Sequence, residues 1–419
     1  MSQAFYDENE LELFRSDSGL ERYRMPVRFP SLNKHRVIAG DMPLFVVHKA
    51  ARQLALWAGQ WERRSELKRR RLGLEMNAKR PDLRPMHKRK IAESRTALAR
   101  EEMAPIKNLL KTALARPVPA RWDDLKSYPD YPKPLPEPPQ WPPKPEVPAV
   151  PREPQQTDEA YLPQFDPLDK MVRGRREEKE ASARQHFQAA HRQWEELCQR
   201  MQFMYQAQVR QYNLTLHQMK SQYDKVVQAW QDARQKYLAE REQCRPLVDA
   251  KAQAWMMGEP YAVLDYCDLL LSHSPYPDFF PQAYDLDYFP KQKGLVIDYL
   301  LPPLRVLPRL ESVQYVEAKD SFHEVLLTEE QRNEMYADLL YEIPVRTLYE
   351  IFSGDKANAI QYVRFLGYIF VDEHPTGNST PACILSMETS KSEFLGADLA
   401  ALGAAECFER NGGQFHSTW

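Results

Sequence analysis

Three residues in the second half of the chain have types and spacing that could do chemistry. The stretch QYVEAKDS, residues 314–321, ends an apolar run with Glu317 and Lys319 two positions apart. Period-two strand geometry would aim both at one face. Asp298, inside the preceding apolar segment LVIDYLLPP, could add a second carboxylate from a neighbouring strand. Two carboxylates can hold Mg²⁺, which stabilises charge on phosphate, while the lysine lowers the barrier for an attacking water. That would be a Mg²⁺-dependent DNA endonuclease using Asp298, Glu317 and Lys319. The pattern arises easily by chance in a chain that is 28% charged, and the competing reading is charge on the solvent face of a sheet. Nothing else suggests catalysis, because the 10 His are isolated and no Gly-rich loop precedes a helix.

A second chemistry is electrostatic. Residues 61–116 hold 17 Lys plus Arg against 7 Asp plus Glu, an excess concealed by a net charge of -2 for the whole chain. Arg63, Arg64, Lys68, Arg69, Arg70 and Arg71, with Lys88, Arg89 and Lys90, are the residues expected to touch nucleic acid. Such density attracts duplex DNA by counterion release and carries no sequence information. A solvated helix face with Glu neighbours one turn away is the plainer alternative.

The elements that must position these residues fall into parts. The expected fold class is α+β: a basic helical N-terminal region, a Pro-rich linker, a long coiled-coil helix and a C-terminal α+β domain with a mainly antiparallel sheet. Residues 1–46 read as an irregular segment of loops with a short strand or two, and 47–116 as the basic helices. Residues 117–167 are Pro-rich and almost free of Gly, which predicts a polyproline II spacer of ~3.1 Å per residue. Its PxxP-like spacings, such as Pro136 to Pro139, read as part of that spacer.

Residues 170–258 carry a heptad seam: Phe187, Ala190, Trp194, Leu197, Met201, Tyr205, Val209, Tyr212, Leu216, Met219, Tyr223, Val226, Trp230, Ala233 and Tyr237. A helix of that length needs a partner, either the basic helices folding back or a second copy of the chain, and its bulky aromatics favour packing against helices of unlike sequence. Pro246 and Gly258 should interrupt it. In residues 259–419, YDLDYF and LVIDYLLPPL form a probable hairpin and SVQYVEA a further strand. Thr328 to Gln331 opens a helix with a capping box, and two more strands follow.

Five scattered cysteines, never in a CxxC, suggest neither a disulfide framework nor a zinc site. No stretch approaches the ~18 to 20 apolar residues of a membrane helix, and the N-terminus lacks signal-peptide order. A cytoplasmic protein without a cofactor is expected, Mg²⁺ entering only with the nuclease reading.

From residue 121 onward the chain resembles a bacterial family of Mrr-type restriction endonucleases. The resemblance is carried by WDDLKSY, by YLPQFDPLDKMVRGRREEKEASARQHFQAAHRQWEE, by the run from SPYPDFFPQAYDLDYF to QYVEAKDSF, by MYADLLYEIPVRTLYEIFSGD and by TPACILSMETSKSEFLGADL. It covers about 290 residues in the family's order and leaves out residues 1–100. It implies a coiled-coil plus α+β module that stands ahead of a separate nuclease domain, so QYVEAKDS falls in the non-catalytic part and no catalytic residue carries over. The expectation is a non-catalytic DNA- or partner-binding component of a restriction or antiviral defence system. A separate nuclease or ATPase subunit and a homo-oligomer through the coiled coil are the implied partners. A structural scaffold with no nucleic-acid role is a further alternative.

Overall fold

The computed structural model describes residues 5–416 apart from 81–82, 117–119, 129, 132, 167–172 and 373–378. The fold is α+β, and the chain divides into two units: residues 1–132 with 238–419, and residues 133–237.

The first correction concerns residues 1–46, expected to be irregular. They form a sheet of β1 (Phe5–Tyr6), β2 (Glu12–Arg15), β3 (Glu21–Phe29) and β4 (Lys34–Gly40), all pairing antiparallel with β3. Alternation in β3 buries Met25, Val27 and Phe29. Pro26, an unfavourable strand residue, falls in the gap between the partners of β2 and β1. The covering helix is α1 (Pro43–Ala78), begun by a proline that needs no N–H partner there. Its first half buries Phe45, Val46, Ala50 and Trp57, with Phe29 edge-to-face on Trp57. Beyond Trp57 the described residues of α1 are never buried, and α2 (Pro85–Lys107) packs beside this half.

After α3 (Leu109–Leu114), residues 122–126 make a 3₁₀ turn that anchors the chain: Trp122 stacks on Tyr266, which stacks on Trp255 at 4.0 Å. The chain resumes this unit with α5 (Cys244–Met256) and α6 (Pro260–His273). Pro246 lies in the first turn of α5 and Gly258, at φ +75°, stops that helix, as their types predict.

Strands β5 (Ala283–Phe289) and β6 (Gly294–Leu300) are the expected hairpin. β7 (Leu310–Val316) and β8 (Ser321–Leu326) pair only with each other. α7 (Glu329–Gly354) opens on the capping box of Thr328 and Gln331. β9 (Tyr362–Asp372), β10 (Ser379–Ser390), α8 (Lys391–Leu395), α9 (Ala404–Arg410) and β11 (Gln414–Phe415) complete the unit. The five-stranded order is β11-β10-β9-β6-β5, antiparallel except for β6 against β9. Its core is built from Leu295, Ile297, Val363 and Phe365 against Leu340, Ile343 and Leu348 of α7.

A buried ionic chain ties the N-terminal sheet to this core. Asp265 of α6 accepts from Lys49 at 2.7 Å and Lys251 at 2.5 Å, Lys251 also reaches Asp41, and Arg36 pairs with Asp268 while lying over Tyr284. Burial alone would raise the Asp265 carboxyl, but the two ammonium groups outweigh it and hold it below the usual range.

Residues 133–237 contain most of α4 (Arg173–Glu242) and the Pro-rich tract, and here one expectation is overturned. The tract is not a free spacer but a packing partner of the long helix within the same unit. The tract lies antiparallel along the helix seam. Trp230 Nε1–H donates to the Lys133 carbonyl at 2.9 Å, Tyr223 Oη–H to Pro136 at 3.1 Å and Trp194 Nε1–H to Pro151 at 2.8 Å. Farther along, His191 meets Glu153 and Tyr161 packs edge-on against Phe187.

The lengths agree. The helix from Trp194 to Trp230 rises ~54 Å at ~1.5 Å per residue, and the tract from Lys133 to Pro151 rises ~56 Å at ~3.1 Å. Polyproline II leaves its carbonyls unpaired, so indole N–H and phenol O–H groups on the seam have acceptors waiting. Pro136, Pro139, Pro142, Pro145 and Pro148 are half-buried at three-residue spacing, while Pro138, Pro143 and Pro151 are exposed. The PxxP prolines thus face the helix. The seam also differs by one residue in two places: Cys198 and Val227 are half-buried where Leu197 and Val226 were expected, and Ala233 is exposed.

Candidate nucleic-acid interface

The structure separates the three residues of the nuclease reading. Asp298 is on β6 of the five-stranded sheet, directly across from Asp285 of β5. β7 ends at Val316, so Glu317 and Lys319 occupy a 3₁₀ turn of the separate β7–β8 hairpin and not one strand face. Burial pushes the Asp298 carboxyl up, and Asp285, Asp17 and Asp287 add to the push. One Asp298 oxygen is buried without a hydrogen bond. Asp287 is engaged by the backbone N–H and hydroxyl of Ser18 at 2.8 and 2.6 Å. Among the described residues no group of three or more His, Cys, Asp or Glu is arranged to hold a metal ion.

The basic residues sit on the α1–α2 pair, where helix periodicity spreads them around both helices. Six of the nine expected contacts already have carboxylate partners. Arg63 pairs with Asp278 at 2.9 Å, Arg69 with Glu66 at 3.2 Å, Arg70 with Glu101 at 3.3 Å and Arg71 with Glu102 at 2.5 Å. Lys88 reaches Asp320 at 2.7 Å and Arg89 pairs with Glu317. Arg70 and Arg71 therefore fasten α1 to α2. Arg64, Lys68 and Lys90 make no ion pair among the described residues. Arg64 and Lys68, one turn apart and exposed, present their charge together.

Sequence reasoning missed Arg95 and Arg100. Arg95 pairs with Glu324 and lies over Phe322; Arg100, exposed, makes no ion pair among the described residues. It also missed the acidic side of the contact. Glu317, Asp320 and Glu324 of the β7–β8 hairpin meet Arg89, Lys88 and Arg95 of α2 across more than 220 positions of chain. No local pattern could have matched them. Thr96 Oγ1 bridges both the N–H and the carbonyl of Val313, which fixes β7 against α2. An open groove of about 370 Å³ runs beside this contact, lined among others by Arg89, Glu93, Thr96, Arg100, Gln314 and Tyr315.

No helix among the described residues is long and apolar enough to cross a membrane. Compared with protein families, curated proteins and solved structures, the chain matches none.

Proposed function

We propose that this chain is a non-catalytic DNA-binding component of a bacterial restriction or anti-phage defence system, working in the cytoplasm and holding duplex DNA on the α1–α2 pair. The observation that carries the DNA contact is the set of cations without carboxylate partners, among them Arg64, Lys68, Lys90 and Arg100, on helices where Arg63, Arg69, Arg70, Arg71, Lys88, Arg89 and Arg95 are already paired. The defence context rests on the resemblance to the module that precedes the nuclease domain in Mrr-type enzymes. A separate nuclease or ATPase subunit would supply the chemistry. A second copy would have to meet the long helix on faces other than its seam, where the tract lies.

The nuclease alternative asks Asp298, Glu317 and Lys319 to share one Mg²⁺, and their places on two sheets give it no support. Titration of a labelled duplex at several salt concentrations tests the proposal. Wild type should bind with strong salt dependence, and Arg64→Ala with Lys68→Ala and Lys90→Ala should flatten the log–log salt slope by about 2 to 3. Absence of salt-dependent retention below ~100 mM salt would overturn it and favour the scaffold reading. Cutting of plasmid with Mg²⁺ that Lys319→Ala abolishes would restore the nuclease.

A further inference from the structure

We infer that the β7–β8 hairpin is a built-in competitor for the basic face of α2, and that a polyanionic backbone entering the adjacent groove displaces it. This rests on the reading of α1–α2 as a nucleic-acid surface and gives that surface a means of regulation.

Ion pairs, the two Thr96–Val313 hydrogen bonds and a small apolar contact together hold the hairpin on α2. Its strands bury one apolar side chain, Val313, and belong to no larger sheet. Against α2 it presents three carboxylates, each well exposed: Glu317 at 55%, Asp320 at 64% and Glu324 at 50%. The hairpin's own rings also touch two of the cations, Tyr315 of β7 beside the buried Lys88 and Phe322 of β8 under Arg95. The Arg89–Glu317 pair, exposed on both sides, is the weak one and is screened by salt, whereas Lys88 and Arg95 are largely buried. A phosphate offers Lys and Arg the same kind of anionic acceptor that these carboxylates do.

The groove gives such a ligand a starting point. Arg100 stands there without a carboxylate partner among the described residues, and Arg89 lines the same groove while paired to Glu317. Eleven residues of helix separate the two arginines, ~16 Å along the axis, about five phosphate steps along one strand of a duplex at ~3.4 Å each. A chain seated on Arg100 would next meet Arg89 and compete with Glu317 for it, and the neighbouring pairs of Asp320 and Glu324 would follow.

The test uses the full chain, a fluorescein-labelled duplex and inorganic polyphosphate. Glu317→Gln with Asp320→Asn and Glu324→Gln should tighten duplex binding about tenfold at low salt. A control with the same change of charge, Glu311→Gln with Glu330→Gln and Glu334→Gln, should tighten it no more than about twofold. Equal gains in the two variants would mean bulk charge and would overturn the inference. Independently of any variant, amide hydrogen exchange across residues 310–326 of wild type should quicken when polyphosphate is added at constant ionic strength. Unchanged or slower exchange there sinks the inference whatever the duplex does. If the hairpin loosens with polyphosphate while no form of the protein binds duplex, the competitor stands and the nucleic-acid reading falls.

Discussion

The indole Nε1–H of Trp194 donates to the carbonyl oxygen of Pro151 at 2.8 Å, joining the long helix to the Pro-rich tract. The residue types on each side suit this contact. A proline tract has carbonyls that no backbone N–H can satisfy, and a Trp on a helix seam has one donor that a purely apolar coiled coil would strand.

Replacing Trp194 by Phe keeps a ring on the seam and removes the donor. A single neutral hydrogen bond contributes ~1 kcal/mol, so local opening of the tract should become about fivefold more frequent. Cys198 is half-buried one turn along the same seam and serves as reporter. Its maleimide labelling, followed by peptide mass spectrometry, should accelerate by about that factor while the buried Cys244, Cys267 and Cys407 stay protected. Unchanged labelling would mean the bond contributes nothing.

The three-residue period of the tract makes a prediction that separates packing from chain stiffness. Pro142, Pro145 and Pro148 face the helix, whereas Pro138 and Pro143 face solvent. Every Pro→Ala change frees the unfolded chain by a similar amount, ~0.4 to 1 kcal/mol, but only the first three also lose contact with the seam. Tryptic cleavage after the exposed Arg152 should therefore rise about four- to thirtyfold in the outward pair from chain entropy alone, and by a larger factor per substitution in the facing triple variant. Equal sensitivity per substitution in the two sets would contradict the docked geometry.

Glu342 of α7 offers a pH-dependent measurement. It accepts from the Leu110 N–H of α3 at 3.2 Å, and burial, reinforced by Asp338, pushes its carboxyl up to about 7. A carboxyl whose folded pKa is raised favours the folded state most when protonated, so its stabilising share is complete below the ordinary value of 4.5 and is lost as pH climbs toward 7. Glu342→Gln, which retains an acceptor for Leu110, should remove this decline: the melting temperature of the variant should exceed that of wild type at pH 8 and converge with it near pH 4. A constant gap across that range would rule out the titration.

Much of residues 259–419 was legible because its signals are local. The β5–β6 hairpin follows from alternation around a polar turn, the start of α7 from Thr328 and Gln331, and the break at Gly258 from a backbone that needs positive φ. The N-terminal sheet was missed since Pro26 and the short β1 and β2 disguise the alternation of Met25, Val27 and Phe29. Docking of the tract was written in prolines at every third position from 136 to 154, a period that matters only once a partner surface is in view. Separation of Asp298 from Glu317 and Lys319 was not legible at all. Whether a strand after β6 joins the main sheet or folds onto α2 is decided by residues more than 200 positions away, Thr96 and Lys88 among them.

Pairing a stretched strand with a coiled one also constrains how this segment can change in evolution. One polyproline turn advances ~9 Å in three residues, and a helix needs about seven residues to advance ~10 Å and bring its aromatic side back to the same direction. A lone insertion in either stretch would slide indoles off their acceptors or rotate the prolines outward. Relatives of different reach should therefore differ by compensated blocks, about three residues gained or lost on one side for every seven on the other.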